Sequence, residues 1–167
     1  ASELGGEEAL LLELDGFLSS RAPGLLVTFN GSGFDLPFLR ARAEACGVGL
    51  GLRVWEDSTL PVKYAPVGGV SPVVGCWASS AEVPHAHWDI AAAFRSYADS
   101  ASVPWSLKPV AASLGLDPVE VDRERVHELS PSELEAYVAS DAWVTRELAL
   151  LALSGRVLLS EGPGLGG

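Results

Sequence analysis

The chain has 167 residues and a mass of 17.5 kDa, which is the size of one ordinary domain. Its content of 48% hydrophobic and 20% charged residues excludes global disorder. The net charge of −11 argues against binding of nucleic acid by electrostatics alone, because phosphate contacts require Lys and Arg. A site in which acidic residues hold a metal, and the metal contacts a phosphate, remains compatible with this charge.

The first half of the chain predicts a helix, a strand and a second helix. The first helix is expected over residues 7–21, with acidic residues in its first turn. Residues 25–29, LLVTF, are a short apolar run, which is typical of a buried strand in a parallel sheet. A Gly-rich turn follows at residues 30–33, and Asp35 begins a second helix that runs to about Cys46.

The second half predicts one more strand and three further helices. The strand is expected at residues 85–90, and the helices at residues 91–97, 106–114 and 131–153. Ser130 and Glu133 form a capping box at the start of the last helix. Residues 47–84 are interpreted as a loop-rich insertion with one hairpin, and residues 156–167 as a disordered tail. This alternation predicts a single α/β domain over residues 1–155.

The two cysteines and the first residues of the sequence indicate the expected cellular compartment. Cys46 and Cys76 are too few for a disulfide framework, so we expect reduced, buried thiols in a cytoplasmic protein. No uncharged apolar stretch is long enough to span a membrane, and the first residues are acidic, unlike a signal peptide.

Two segments of the sequence carry candidate catalytic residues. Asp35 follows a predicted strand, and sites in open α/β sheets lie beyond the carboxyl ends of strands; the alternative is that Asp35 only caps its helix. Tyr137 and Asp141 share one helical face, which we expect to point inward with Leu134, Val144, Leu148 and Leu151. A buried Asp needs a metal or a charged partner. The alternative to a metal at Asp141 is therefore an ion pair with Arg146 or with a distant Arg.

Two segments resemble motifs of one enzyme superfamily. LVTFNGSGFDLPFLRARAE resembles the Exo II motif, N-x3-F-D, of the DnaQ-like (DEDD) 3′–5′ exonucleases, and YVASD resembles their Exo III motif in its tyrosine form. Between them, HWDIAAAF and SLKPVAASLGL resemble the strand–helix–helix passage of that superfamily. The likeness covers roughly residues 7–153 and is greatest to predicted exonucleases related to the proofreading domain of family B DNA polymerases.

The resemblance implies a ribonuclease H-like, three-layer fold with a central mixed sheet. It also implies a two-metal hydrolysis of 3′-terminal phosphodiesters in single-stranded nucleic acid with two Mg²⁺ or Mn²⁺ ions. DNA is favoured over RNA as the substrate, but no signature in the sequence decides between them. On this resemblance Asp141 is a direct metal ligand, Asp35 serves the second metal, and Tyr137 orients the attacking water. Asn30 and Phe34 then shape the wall for the terminal nucleotide. Apart from the resemblance, Lys108 offers a cation near that groove, and we expect it to contact a phosphate.

The chain departs from the family at its start. The Exo I motif, D-x-E, should precede Exo II, but the 29 residues before Asn30 contain none. Glu13-Leu-Asp15 has the reverse order, and Asp122-Arg-Glu124 lies after Exo II in a polar segment. The chain also contains no Met, so we expect a fragment without its first strands, inactive if its metal ligands are incomplete. The alternative is a non-catalytic ribonuclease H-like module that binds nucleic acid or protein, and an upstream strand ending in D-x-E would favour the enzyme.

Two further patterns carry weaker alternatives. His85, His87 and Asp89 alternate along a predicted strand and could ligate zinc, although a polar edge strand is the favoured interpretation. Trp88 and Trp105 could stack on bases near a substrate groove, although tryptophans are more often core residues.

Overall fold

The computed structural model describes the backbone of residues 3–60 and 71–157, and the side chains of residues 6–60, 71–122 and 125–157. The chain divides into two compact units, Ala1–Asp89 and Ile90–Gly167, called here the N-terminal unit and the C-terminal unit. Most of the predicted tail, residues 158–167, lies outside the described part. Helices and a mixed sheet together confirm the predicted α/β class.

The N-terminal unit consists of two helices and a four-stranded sheet. In chain order they are α1 Glu3–Ser19, β1 Leu25–Thr28, α2 Asp35–Cys46, β2 Leu52–Glu56, β3 Val73–Trp77 and β4 His85–Asp89. The strand order is β1-β4-β3-β2. Strand β1 is parallel to β4, whereas β3 is antiparallel to both of its neighbours.

The sheet confirms the predicted strands and corrects one interpretation. The hairpin expected within residues 47–84 is the antiparallel pair of β2 and β3, in which Val54 lies opposite Gly75. Strand β4, however, is an interior strand between β1 and β3, so its interpretation as a polar edge strand is wrong. Helix α1 also begins before residue 7 and ends at Ser19, two residues earlier than predicted.

One carboxylate of helix α1 binds two groups elsewhere in its unit. Asp15 Oδ1 accepts hydrogen bonds from the Gly51 backbone N–H at 2.7 Å and from the Trp77 indole N–H at 2.9 Å. Trp77 is almost fully buried, so its indole nitrogen needs this acceptor. The side chains of Leu11, Leu36 and Val73 are buried in the same unit.

The C-terminal unit is helical. Its elements are α3 Ile90–Ala93, α4 Arg95–Ala101, α5 Leu107–Ser113, a 3-10 helix Arg123–Glu128 and α6 Pro131–Leu153. The single helix predicted over residues 91–97 is therefore two helices, divided at Phe94, whose ring is fully buried. The capping box of α6 is present, because Ser130 Oγ accepts from the Glu133 N–H while Glu133 Oε2 accepts from the Ser130 N–H.

Helix α6 is buried along its second half only. Val144, Thr145, Leu148 and Ala149 are buried, whereas Leu134 is 41% exposed. The predicted inward face therefore begins later than expected, and the inclusion of Leu134 in it was wrong.

Cys46 and Cys76 are free thiols and are half-buried rather than buried. Within the described residues, no helix is long and apolar enough to cross a membrane.

Candidate functional site

The turn after β1 is held by a carboxylate from the neighbouring strand. Because β1 and β4 are parallel, their carboxyl ends meet at one edge of the sheet, where Thr28 lies beside Asp89. Asp89 Oδ1 accepts from the Asn30 backbone N–H at 2.7 Å, and Asp89 Oδ2 accepts from the Ser32 N–H at 2.9 Å. Both oxygens of Asp89 therefore fix the Gly-rich turn, a role that the sequence analysis did not assign to it.

The turn also depends on residues with unusual backbone requirements. Asn30 has φ of +72°, in the left-handed region that Asn tolerates better than most residues. A Cβ atom on Gly31 would lie 2.2 Å from Thr28 Oγ1 and 2.5 Å from Thr28 Cβ, so only glycine fits there. These two positions fix the path of the chain from β1 into α2.

Asp35 is the first residue of α2 and is exposed to solvent. Phe34 occupies the N-cap position, and no side chain caps the helix, so the structure does not show the capping role considered for Asp35. Partial desolvation raises the pKa of the Asp35 carboxyl, a backbone hydrogen bond within the residue opposes this, and the negative charge of Asp89 adds to it. The carboxylate thus lies in a locally negative region, in which a bound cation would be favourable.

Phe34 and Phe38 form an exposed aromatic pair beside Asp35. Their ring centroids are 5.8 Å apart and the ring planes are inclined by 10°, so the rings stack. Each residue remains about half exposed, at 52% and 51%. Phe34 therefore presents a half-exposed apolar ring next to the candidate carboxylate.

The two histidines of β4, His85 and His87, form hydrogen bonds with other residues of the N-terminal unit. His85 Nδ1 accepts from the Gly24 N–H at 3.1 Å, and His85 Nε2 lies 2.8 Å from the Leu18 carbonyl oxygen, so both ring nitrogens are occupied. His87 Nε2 lies 2.8 Å from Thr28 Oγ1. Burial lowers the pKa of His87, and the nearby Asp89 carboxylate partly opposes this shift. These bonds leave His85 no free ring nitrogen for the zinc site that the sequence left open.

Asp141 lies in the C-terminal unit, where its nearest charged partner is a lysine. Asp141 Oδ1 is buried, and the structure shows no hydrogen-bond donor to it. Lys108 Nζ lies 3.7 Å from this oxygen, and the Lys108 side chain is only 5% exposed. The partner that the sequence analysis sought among arginines is therefore a lysine of α5, 33 positions before Asp141.

The Lys108 ammonium has three further neighbours. It donates a hydrogen bond to the Val119 carbonyl oxygen, and it lies 3.6 Å from the Glu120 carboxylate, which is 71% exposed. It also lies 4.4 Å from the centroid of the Tyr137 ring, which is a cation–π distance. Lys108 is thus almost fully buried in an acidic and aromatic environment, which does not favour the predicted contact with a substrate phosphate.

The two tryptophans have different positions. Trp105 donates its indole N–H to the Ala91 carbonyl at 2.7 Å, and the Arg95 guanidinium lies 5.3 Å from its ring centroid. Trp88 lies half-buried within β4. Neither residue is fully buried, and Trp105 is anchored by its indole nitrogen, as an amphipathic aromatic residue usually is.

The predicted site residues form two local groups. Asn30, Phe34 and Asp35 lie together around the turn of the N-terminal unit, and Lys108, Tyr137 and Asp141 lie together in the C-terminal unit. The sequence did not predict two features of these groups, namely the two hydrogen bonds of Asp89 and the Lys108–Asp141 ion pair. A partial signal existed for the second, because Lys108 is one of only two lysines and lies in an otherwise apolar helix.

The chemistry of these groups fits a divalent cation only in part. Carboxylate oxygens are the ligands that Mg²⁺ and Mn²⁺ prefer, and the buried Asp141 Oδ1 lacks a hydrogen-bond donor. Across residues 6–60, 71–122 and 125–157, however, no group of three or more His, Cys, Asp or Glu side chains is placed to hold a metal ion.

Comparison with known proteins identified no relatives. No family model matches the chain, and neither a curated protein nor a solved structure matches it.

Proposed function

We propose that this chain belongs to a metal-dependent 3′–5′ exonuclease with a ribonuclease H-like fold, which removes nucleotides from the 3′ end of single-stranded nucleic acid. The proposal rests on the order and spacing of the two motifs and on one observation in particular. Asp141 Oδ1 is a buried carboxylate oxygen that lacks a hydrogen-bond donor. Such an atom requires another partner, and a bound cation would supply one.

The N-terminal unit supports the proposal through the turn after β1. Asp35 lies beyond the carboxyl ends of two parallel strands, where α/β proteins commonly bind ligands. The Asp89 hydrogen bonds fix the backbone of this turn, and a fixed backbone is what a precisely placed carboxylate requires. The exposed ring of Phe34 would pack against the terminal base, because a base stacks on aromatic rings whatever its sequence.

The C-terminal unit supports the proposal through Tyr137 and Asp141. Asp141 would hold a cation through Oδ1, and Asp35 would serve the second one. Bound Mg²⁺ or Mn²⁺ supplies Lewis-acid activation of the phosphate and of a water molecule. Tyr137 precedes Asp141 by one helical turn, so its hydroxyl would orient that water by a hydrogen bond.

The test is a nuclease assay on a single strand labelled at its 5′ end, with Mn²⁺ present. We expect a ladder of products shortened from the 3′ end, formed on DNA in preference to RNA. Asp35→Asn and Asp141→Asn should each abolish the ladder. Glu44→Gln and Asp99→Asn are the matched controls, because both acids are exposed on helices outside the proposed site and should retain full activity.

Two results would contradict the proposal. If the chain made no products with Mn²⁺ or Mg²⁺, the exonuclease assignment would fail for this chain. If products formed but both Asp variants kept full activity, the assignment of the site would be wrong.

A second candidate function is a non-catalytic module that binds nucleic acid or protein. The observation that favours it is the Lys108 ammonium, which already places a positive charge beside Asp141. Such a module would bind a single strand equally well with and without Mn²⁺ and would yield no products in the same assay.

A further inference from the structure

The Lys108 ammonium lies next to the Asp141 carboxylate. Its Nζ lies 3.7 Å from Asp141 Oδ1 and 3.6 Å from a Glu120 carboxylate oxygen, and it donates a hydrogen bond to the Val119 carbonyl. The face of the Tyr137 ring lies 4.4 Å away. Three oxygens and a π face therefore surround the ammonium.

The contact with Asp141 is the loosest of these oxygen contacts. A distance of 3.7 Å is too long for a hydrogen bond, which agrees with the absence of any donor to Asp141 Oδ1 in the described structure. The interaction is therefore a charge attraction without a directional bond, and the lone pairs of Oδ1 are not committed. A metal ion that entered at Oδ1 would nevertheless meet strong repulsion from a buried positive charge at this distance.

We infer that Lys108 is the resident counter-ion of Asp141 and that a divalent cation binds Asp141 Oδ1 only by displacing its ammonium. This inference rests on the proposed function, because it assigns to that site a built-in competitor for its metal. The displaced ammonium keeps a partner, since the Glu120 carboxylate lies 3.6 Å from it and is 71% exposed. Lys108 thereby raises the concentration of divalent cation that is needed to occupy Asp141.

The test is the affinity of the chain for Mn²⁺, measured by electron paramagnetic resonance of free Mn²⁺ without nucleic acid. Lys108→Met removes the competing charge and keeps an unbranched side chain of similar length, so it should bind Mn²⁺ about 10- to 100-fold more tightly than the wild type, the range over which groups near metal ligands change affinity. Lys108→Arg keeps the charge and should bind no more tightly than the wild type. Equal or weaker affinity of Lys108→Met would overturn the inference.

A second measurement uses the wild-type chain, so that it does not depend on a variant that folds. The chain has only two lysines, Lys63 and Lys108, so mass spectrometry resolves their acetylation by an amine-specific reagent. Mn²⁺ should accelerate the acetylation of Lys108 severalfold, because displacement exposes a side chain that is otherwise 5% exposed. The rate at Lys63 corrects for any effect of Mn²⁺ on the reagent, and an unchanged relative rate at Lys108 under saturating Mn²⁺ would overturn the inference.

Asp141→Asn separates a failure of this inference from a failure of the proposed function. If Asp141→Asn binds Mn²⁺ as tightly as the wild type, Asp141 is not a ligand, and both proposals fail. If Asp141→Asn weakens Mn²⁺ binding but Lys108→Met does not strengthen it, the metal role of Asp141 stands and the role of Lys108 as competitor is wrong.

Discussion

The carboxylate of Asp89 holds the backbone of Asn30, because Asp89 Oδ1 accepts the Asn30 N–H at 2.7 Å across two parallel strands. Its second oxygen accepts the Ser32 N–H at 2.9 Å. One side chain at the end of β4 therefore determines the shape of the turn that leads from β1 to Asp35.

Asp89→Asn should destabilise the chain by about 1–3 kcal/mol, because the amide NH₂ group would face a backbone N–H that now has no acceptor. Urea unfolding at pH 7 measures the change. Glu44→Gln, an exposed substitution of the same kind in the same unit, should change the free energy of unfolding by less than about 0.5 kcal/mol. Equal effects of the two variants would show that Asp89 does not fix the turn.

Gly31→Ala should destabilise the chain by about 1–3 kcal/mol or more, since the new Cβ would overlap the Thr28 side chain. Gly16→Ala is the matched control. It lies within α1 with no atom within 4 Å of its added Cβ, so it should stabilise by about 0.5–1 kcal/mol. Thermal unfolding of the two variants should therefore shift in opposite directions, and a Gly31→Ala variant at least as stable as the wild type would contradict the tight approach at Gly31.

The stability of the chain should fall as the pH decreases from 7 to 5 because of His87. Burial lowers the pKa of His87 in the folded state. The unfolded chain takes up a proton near pH 6.5, the ordinary value, while the folded chain does so only at lower pH. Protonation of His87 therefore favours unfolding. As the pH falls, the loss of stability begins near the ordinary pKa of histidine and is complete below the lowered pKa of the folded state.

Urea unfolding of His87→Gln across this pH range should show a smaller decrease than the wild type. His127→Gln removes an imidazole that is 76% exposed, and it should change the decrease in stability less than His87→Gln does. A decrease of wild-type size in His87→Gln would assign the effect to another group.

Asp35→Asn should raise stability at pH 7 while it removes nuclease activity. The pKa of Asp35 is raised in the folded state, chiefly by desolvation, so ionisation of this carboxyl favours the unfolded chain. This penalty is absent below the ordinary pKa and is fully present above the raised one. The urea midpoint of Asp35→Asn should therefore exceed that of the wild type at pH 7 and equal it at pH 3. A lower midpoint at pH 7 alone would mean that the charged carboxylate stabilises α2.

Local signals in the sequence predicted most of the elements. The apolar run before Asn30 predicted β1, and the Ser130–Glu133 capping box with Pro131 predicted where α6 begins. These signals succeed because strand patterning and helix capping depend on neighbouring residues. The division of one predicted helix at Phe94 was missed, since it depends on the burial of that ring.

The sequence could not predict the contacts that define the candidate site. The Asp89 hydrogen bonds require β1 and β4 to be adjacent, although 59 residues separate Asn30 from Asp89. The partner of Asp141 is likewise a lysine in another helix, and no local pattern connects the two. Such pairings depend on tertiary packing, whereas periodicity reports only which side of an element is apolar.

The position of bound Mn²⁺, read from paramagnetic broadening of backbone amide signals in the nuclear magnetic resonance spectrum, tests directly whether Asp141 is a metal ligand. If Asp141 holds a cation, substoichiometric Mn²⁺ should broaden the amide signals around Asp141, from Tyr137 to Thr145, and Mg²⁺ should leave their line widths unchanged. Broadening confined to other parts of the chain, with sharp signals around Asp141, would contradict the claim that this carboxylate is a metal ligand.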